Sequence, residues 1–353
     1  MGSTLNAVVI GSRSVGDGFP CFVIAEVGVN HNGDLETAKR LVDASVKVGA
    51  DAVKFQAFKA ERLVSQGAPK AKYQKRAEKG ESQLKMLKRL ELTEEDLSTL
   101  NVYSRERGII FLASAFDEES ADALERIGVP AYKMGSGELT NLPLLAHVAQ
   151  KGKPLIISSG MSTLEEVSEA ISTVKRNACR EIVLLHCVSN YPATARDVNL
   201  KAIQTLKDKF NVPTGFSDHT LSLVIPAAAV SMGACVIEKH ITLDHKMAGP
   251  DHRASLEPGE FKIMVENIRE VEEALGDGVK RVTEGEREIR DVARRSLVAA
   301  VDIPAGSTIT MEMLDIKRPG TGISPKHATA VAGKKAKVLI KKDELIKWEL
   351  LGP

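Results

Sequence analysis

Aromatic residues make up only 4% of the 353 residues. So few rings argue against a stacking platform for nucleobases. No charge excess exists either: 48 Lys+Arg face 47 Asp+Glu, a net +1. That balance gives no electrostatic reason for a nucleic-acid or acidic-membrane partner. The longest apolar run, around 224–230, falls far short of the roughly 18 residues of a spanning helix. The N-terminus lacks a charged-then-apolar signal pattern. Cys21, Cys179, Cys187 and Cys235 form no CxxC pair. Three of them lie in or beside apolar strand-like runs, the setting of small buried hydrophobes in a reducing, cytoplasmic compartment.

Apolar residues at 43% and charged residues at 27% exclude a disordered chain. The length fits two domains, or one barrel of about 250 residues plus an appendage. Such a chain buries a large core without disulfides or structural metal.

Short β-rich runs alternate with helical patterns. The runs are Phe22–Val27, Ala52–Gln56, Ile109–Ser114, Ala131–Met134, Pro154–Ser158, Ile182–Cys187, Val212–Phe216 and Ala234–His240. Helical patterns follow at 34–48, 93–107, 118–127, 141–150, 163–175, 199–210, 221–231 and 258–274. Asp34 reads as an N-cap, and Thr93 with Asp96 and Thr163 with Glu166 as capping boxes. Near-continuously apolar strands, each followed by a helix, predict an α/β (β/α)8 TIM barrel. Residues 57–92, rich in lysine and glutamine, predict a loop excursion over the barrel mouth.

After about residue 283 the texture changes. The division predicted is a barrel over 1–283, a charged linker helix over 284–295 and a small β-rich module over 296–353. Within the module, Ser296–Asp302 reads as a strand, 303–307 as a turn and Asp315–Lys317 as a second strand. A module this small is expected to pack on a barrel.

Function in such barrels sits at the C-terminal strand ends. Here each end is polar: Glu26; Lys54 and Gln56; Ser114; Lys133, Ser136 and Glu138; Ser158; His186; Ser217 and His219; Glu238 and His240. Lysines and serines suit a phosphate or carboxylate. His219 and His240 lie on neighbouring strands, where their imidazoles either meet at one metal or are satisfied structurally. Two histidines leave positions open, as a Lewis-acid role requires. Glu26 and Glu138 read as acid, base or water-orienting groups, or as ion-pair partners of the lysines. Lys54 and Lys133 also fit a Schiff-base role. Gly135-Ser136-Gly137 is no dinucleotide fingerprint, because no third glycine opens a helix.

The chain resembles the sialic acid synthase family, which condenses phosphoenolpyruvate with an N-acetylated amino sugar. The stretches that carry the resemblance include IAEVGVNHNGD (24–34), GADAVKFQ (49–56), YKMGSGELTNLPLL (132–145), LLHCVSNYP (184–192), GFSDHT (215–220), IEKHITLD (237–244) and GPDHRASLEP (249–258). KRPGTGIS (317–324) adds a match in the small module, which looks like an antifreeze-like (SAF) domain. The resemblance implies a divalent ion on His219 and His240, manganese foremost, with magnesium or cobalt as options. It implies phosphoenolpyruvate on Lys54, Ser114, Lys133, Ser136, Ser158 and Ser217, and sugar on Gln56, Tyr191 and Asp251. Glu26 and Glu138 would serve proton transfers and the attacking water. Arg318 would reach into the partner subunit's barrel in a domain-swapped homodimer and hold the N-acetyl group. Ser189 or Asn190 stands where some members carry an amide, and Lys72, Gln74 and Glu81 fall in the excursion without assigned roles.

The chemistry implied is an aldol-type condensation. Carbon C3 of phosphoenolpyruvate attacks a metal-polarised sugar aldehyde, the resulting C2 oxocarbenium takes water, and phosphate leaves with C–O cleavage. N-acetylmannosamine, giving N-acetylneuraminic acid, is the first substrate expected. A 6-deoxy diacetamido sugar, giving N,N'-diacetyllegionaminic acid, is the alternative, and a 6-phosphorylated sugar the third. A Schiff-base aldolase on Lys133 or Lys54, or a non-catalytic sugar-binding protein, are rivals from other classes.

Overall fold

All the runs read as strands form, and they close on themselves. In the computed structural model the ring runs Val236–His240, Phe22–Gly28, Ala52–Ala57, Ile110–Ala115, Tyr132–Met134, Leu155–Ser158, Ile182–Cys187, Thr214–Asp218 and back. Every neighbouring pair is parallel. The structure describes residues 6–71, 74–75 and 80–353. They divide into two compact units, one ending at Gly276 and one spanning Asp277–Pro353.

Strand alternation explains both the core and the mouth. Successive side chains point to opposite faces. Outward residues such as Val23, Ala25, Val53, Phe55, Phe111 and Ile157 meet the helices in the larger apolar cluster. Inward residues Phe22, Ile24, Ala52, Leu112, Ile156, Val183 and Val236 fill the barrel's lower half. Further along most of the strands the inward positions turn polar, so the barrel is dry below and ionic above. A hairpin that the sequence reading did not anticipate, Ala7–Ile10 with Arg13–Gly16, adds Val8, Ile10 and Val15 to the lower cluster.

The helices form for local reasons. Asp34 accepts from Thr37 N at the start of Leu35–Lys47, which buries Ala38, Leu41, Val42 and Ser45 along one face. Both predicted capping boxes are present, Thr93 with Asp96 and Thr163 with Glu166. Each cap is worth about 1 kcal/mol. The helix expected over 221–231 is shorter, Ile225–Ser231, because Ser222 Oγ accepts from Val224 N and Ile225 N and Pro226 sits in its first turn. The helix expected over 199–210 is Lys201–Phe210, and a short helix not expected, Ala195–Val198, ends before it at Asn199, which adopts a left-handed φ of 47°.

The excursion is not the plain loop expected. Its described part holds two helices, Ala60–Leu63 and Gln83–Arg89. Met86, Leu87 and Leu90 pack on Val29 and Phe58 as a satellite core beside the mouth. Residues 72–73 and 76–79, Lys72 among them, lie outside the described residues.

The C-terminal unit has its own apolar cluster, including Leu297, Ile303, Ile309, Ile340 and Ile346. Its first strand is Ser296–Ala299, shorter than the 296–302 expected, and pairs antiparallel with Leu314–Lys317. Beyond it, Ile303 bridges instead to Ile340. The charged helix is Glu284–Ala293, ending before Arg294, and Gly320 N donates to Asp291 O at 2.7 Å. No helix of the described residues is long and apolar enough to cross a membrane.

Candidate active site

The polar upper layer of the barrel opens into a cavity of about 370 Å³. All the expected site residues except Glu138 and Arg318 line it. Parallel register is what gathers them. Glu26 pairs with Lys54, Ser114 with Lys133, and Ser217 with Glu238, so each points inward beside the next. A register shift between Glu26 and Gly28 turns the first strand at the rim.

Two buried ammonium groups dominate the floor. Lys54 Nζ lies 2.6 Å from Glu26 Oε2 and donates to Ser114 Oγ at 3.0 Å. Lys133 Nζ donates to Ser158 Oγ at 2.7 Å and to Met134 O at 3.1 Å. Between them sits Glu238, with Oε2 3.7 Å from Lys54 and Oε1 3.6 Å from Lys133. Ser217 Oγ donates to Glu238 Oε1 at 3.0 Å. Burial alone would push the Lys54 ammonium down, but Glu238 and Glu26 outweigh it and hold the group above its usual range. Burial wins at Lys133 and lowers it. Burial also raises the Glu26 carboxyl, against the pull of Lys54. Glu238 Oε2 is buried without a hydrogen-bond partner, the Lys54 ammonium being 3.7 Å away. Acceptors and donors left open in a cavity of this size are groups that a polar ligand completes.

The histidine pair stands at one side. The rings of His219 and His240 lie 5.5 Å apart, and Tyr191 packs against both, at 4.2 and 5.9 Å between centroids. His219 Nδ1 is 2.9 Å from Val188 O, and a carbonyl only accepts, so Nδ1 carries a proton and Nε2 is the nitrogen that offers a lone pair in the neutral ring. His240 Nδ1 is buried with no partner. Burial and the neighbouring His219 keep His240 neutral, far below its usual value. A Cβ on Gly28, at a φ of +56°, would come within 3.2 Å of both Glu26 Oε1 and His240 Cε1, so only glycine leaves this corner open. These donors fit a divalent ion of borderline hardness. Among the described residues no cluster of three or more His, Cys, Asp or Glu side chains is arranged for a metal. The pair by itself is a two-donor site with further positions for oxygen ligands.

Gln56, Tyr191 and Asp251, the residues expected to contact the sugar, line the same cavity. Gln56 Nε2 donates to Glu26 Oε1 at 3.3 Å. Asp251 is buried on the rim, and burial first, then the Glu26 charge, push its carboxyl up to about 7. Gly160 N donates to Ser136 Oγ at 3.0 Å. A Cβ on Gly160 would overlap Ser189 Oγ at 2.2 Å and Ser136 Oγ at 2.7 Å, so that wall tolerates no side chain.

Some strand-end residues go elsewhere. His186 does not face the mouth: period-2 alternation turns it outward, onto Phe216 at 5.7 Å, with Nε2 2.6 Å from Val198 O. Glu138 stands outside the lining, in a short turn after its strand, where Asn141 Nδ2 donates to its Oε2 at 2.8 Å. Burial raises its carboxyl above the usual range. Ser189 lines the cavity while Asn190 is exposed. Gln74 lines it too, whereas Glu81 pairs with Arg89 at 3.0 Å. Arg318 lies in the C-terminal unit and is exposed there. The residue that the sequence reading left without a role is Glu238. Its signal was available, since position 238 shares the inward face with His240.

Fold and mouth define a (β/α)8 barrel enzyme with two buried lysines on the cavity floor and a histidine pair in its wall. The chain belongs to the NeuB family, whose model matches residues 41–280, and residues 294–352 match the SAF domain. It is 48% identical to the N,N'-diacetyllegionaminic acid synthase of Legionella pneumophila, over 99% of both chains. It is 46% identical to the enzyme of the same name from Campylobacter jejuni, over 92% of this chain and 98% of that one. Among solved structures, a sialic acid synthetase from Leptospira borgpetersenii in complex with citrate superposes with a TM-score of 0.73. That pair is 35% identical and covers 81% of this chain and 95% of the other. The expected family, barrel and small C-terminal domain are thus all present.

Proposed function

We propose that the protein condenses phosphoenolpyruvate with a 2,4-diacetamido-2,4,6-trideoxymannose to form N,N'-diacetyllegionaminic acid and phosphate. The observation that carries the chemistry is the floor itself: two buried ammonium groups, serine hydroxyls and an open histidine pair in one cavity. The observation that moves the substrate from N-acetylmannosamine to the deoxy sugar is the identity to two legionaminic acid synthases.

In this reading Lys54 and Lys133, with Ser114, Ser158 and Ser217, hold the phosphate and carboxylate of phosphoenolpyruvate. Their fixed positions align C3 with the open-chain aldehyde, so much of the barrier falls through orientation and preorganised charge. A divalent ion on His219 and His240, manganese first, supplies Lewis-acid polarisation of the aldehyde oxygen when bound. Glu26, whose carboxyl burial raises beside Lys54 and Gln56, takes the proton of the water that adds at C2. Glu138, whose carboxyl burial raises, stands outside the lining and takes no proton-transfer step in this reading. Gln56, Tyr191 and Asp251 hold the sugar. A domain-swapped homodimer, with Arg318 on the N-acetyl group, and a cytoplasmic site of action complete the reading.

The experiment is phosphate release from phosphoenolpyruvate with manganese, comparing the deoxy diacetamido sugar with N-acetylmannosamine. Higher efficiency with the deoxy sugar supports the proposal. Preference for N-acetylmannosamine keeps the mechanism and returns the product to N-acetylneuraminic acid. Silence with both overturns the synthase reading. Full activity of His219→Ala after chelation would remove the metal.

A further inference from the structure

Directly behind the histidine pair lies an ion pair that the reaction does not use. Register sets Asp218 beside Lys239, one step after Ser217 beside Glu238. Ser217 and Glu238 face the cavity, so Asp218 and Lys239 face the helix layer. Both side chains are 0% exposed, with Nζ and Oδ2 2.6 Å apart.

The residues next to the pair on that face, Phe216 and Ile237, belong to the apolar cluster, and a buried ion pair there is a poor choice for stability. Well-packed apolar residues in its place are often neutral or stabilising. What the pair does have is a grip on the backbone around His219. Asp218 Oδ1 accepts from Thr220 N at 2.8 Å, and Oδ2 accepts from Thr220 Oγ1 at 3.1 Å. Lys239 Nζ donates to Thr220 O. Residues on both sides of His219 are therefore tied to the residue that precedes His240.

We infer that the Asp218–Lys239 pair is a positioning device that sets the spacing and aim of His219 and His240 toward one divalent cation. The inference rests on reading those histidines as ligands. Asp218 and Lys239 touch neither substrate nor ion. They act by closing the 218–220 turn and riveting it to the neighbouring strand, as partners behind metal ligands do elsewhere.

The test is Mn2+ binding to the full chain without substrates, by equilibrium dialysis, with the visible absorption of the Co2+-loaded protein as a second readout. The double variant Asp218→Leu/Lys239→Met removes the pair without stranding a charge. It is expected to fold, with an unfolding temperature lowered by the Thr220 bonds it loses, and to bind Mn2+ about 10- to 100-fold more weakly, with a changed Co2+ spectrum. Thr220→Val, which removes one hydroxyl, is the milder variant should the double variant not fold, with a several-fold loss expected. Unchanged Mn2+ affinity and Co2+ spectrum in the folded double variant, or in Thr220→Val if that is the one that folds, overturn the positioning role alone, provided His219→Ala abolishes binding. A wild-type chain that binds no Mn2+ overturns the metal reading and this inference together.

Discussion

Glu238 lies between Lys54 and Lys133 on the barrel floor, within 3.7 Å of one ammonium and 3.6 Å of the other. It is the shared counter-ion of two cations that have almost no access to water. Burial opposes its ionisation, and the two lysines override that and hold its carboxyl low.

Glu238→Gln should therefore leave the floor with excess positive charge. Breaking a buried pair costs about 3–5 kcal/mol. Phosphoenolpyruvate carries the missing negative charge. It should raise the unfolding temperature of Glu238→Gln more than that of the wild type, read by differential scanning fluorimetry. Equal shifts would mean that the floor does not hold the anion.

Lys133→Met removes the donor to Ser158. Hydrogen bonds to charged groups are worth about 1.5–3 kcal/mol, so the KM for phosphoenolpyruvate should rise roughly 10- to 100-fold. Borohydride with pyruvate should trap no adduct on the wild type. A covalent adduct at Lys133 would move the protein to the aldolase class.

His31 is fully covered and neutral, held at about 4 by burial. Its Nδ1 accepts from Gly33 N at 2.9 Å. His252, buried between Thr242 and Asn32, is also held at about 4. The unfolded chain takes up these protons near pH 6.5 and the native chain only near pH 4. Stability is thus intact above about pH 6.5 and is lost as pH falls toward 4, by about 3 kcal/mol for His31. Urea midpoints at pH 7 and pH 4.5 measure the loss. His31→Gln should flatten the profile, and an unchanged slope would acquit His31.

Ile10 is fully buried and plugs the lower barrel from the N-terminal hairpin. Ile10→Ala should lower stability by about 2–5 kcal/mol through the cavity it leaves. The KM for phosphoenolpyruvate should not change, because the plug sits at the end of the barrel opposite the mouth. Chemical denaturation and kinetics on one preparation separate the two effects.

The sequence by itself determined the barrel, because apolar runs alternating with capped helices admit few other arrangements. It also determined which polar residue types stand at the mouth, since Lys54, Lys133, His219 and His240 lie at or just beyond the ends of such runs. Tertiary structure decided which of those polar residues look inward. His186 and Lys239 sit at strand ends like the others, yet side-chain alternation sends them to the helix layer, and Glu238 comes inward to join the lysines. It also decided the hairpin plug and the satellite core of Met86, Leu87 and Leu90, whose short elements carry too little periodicity to be read alone. Strand composition is a local property. Which face a residue occupies depends on register against neighbours far away in the chain, and only the closed ring sets that register.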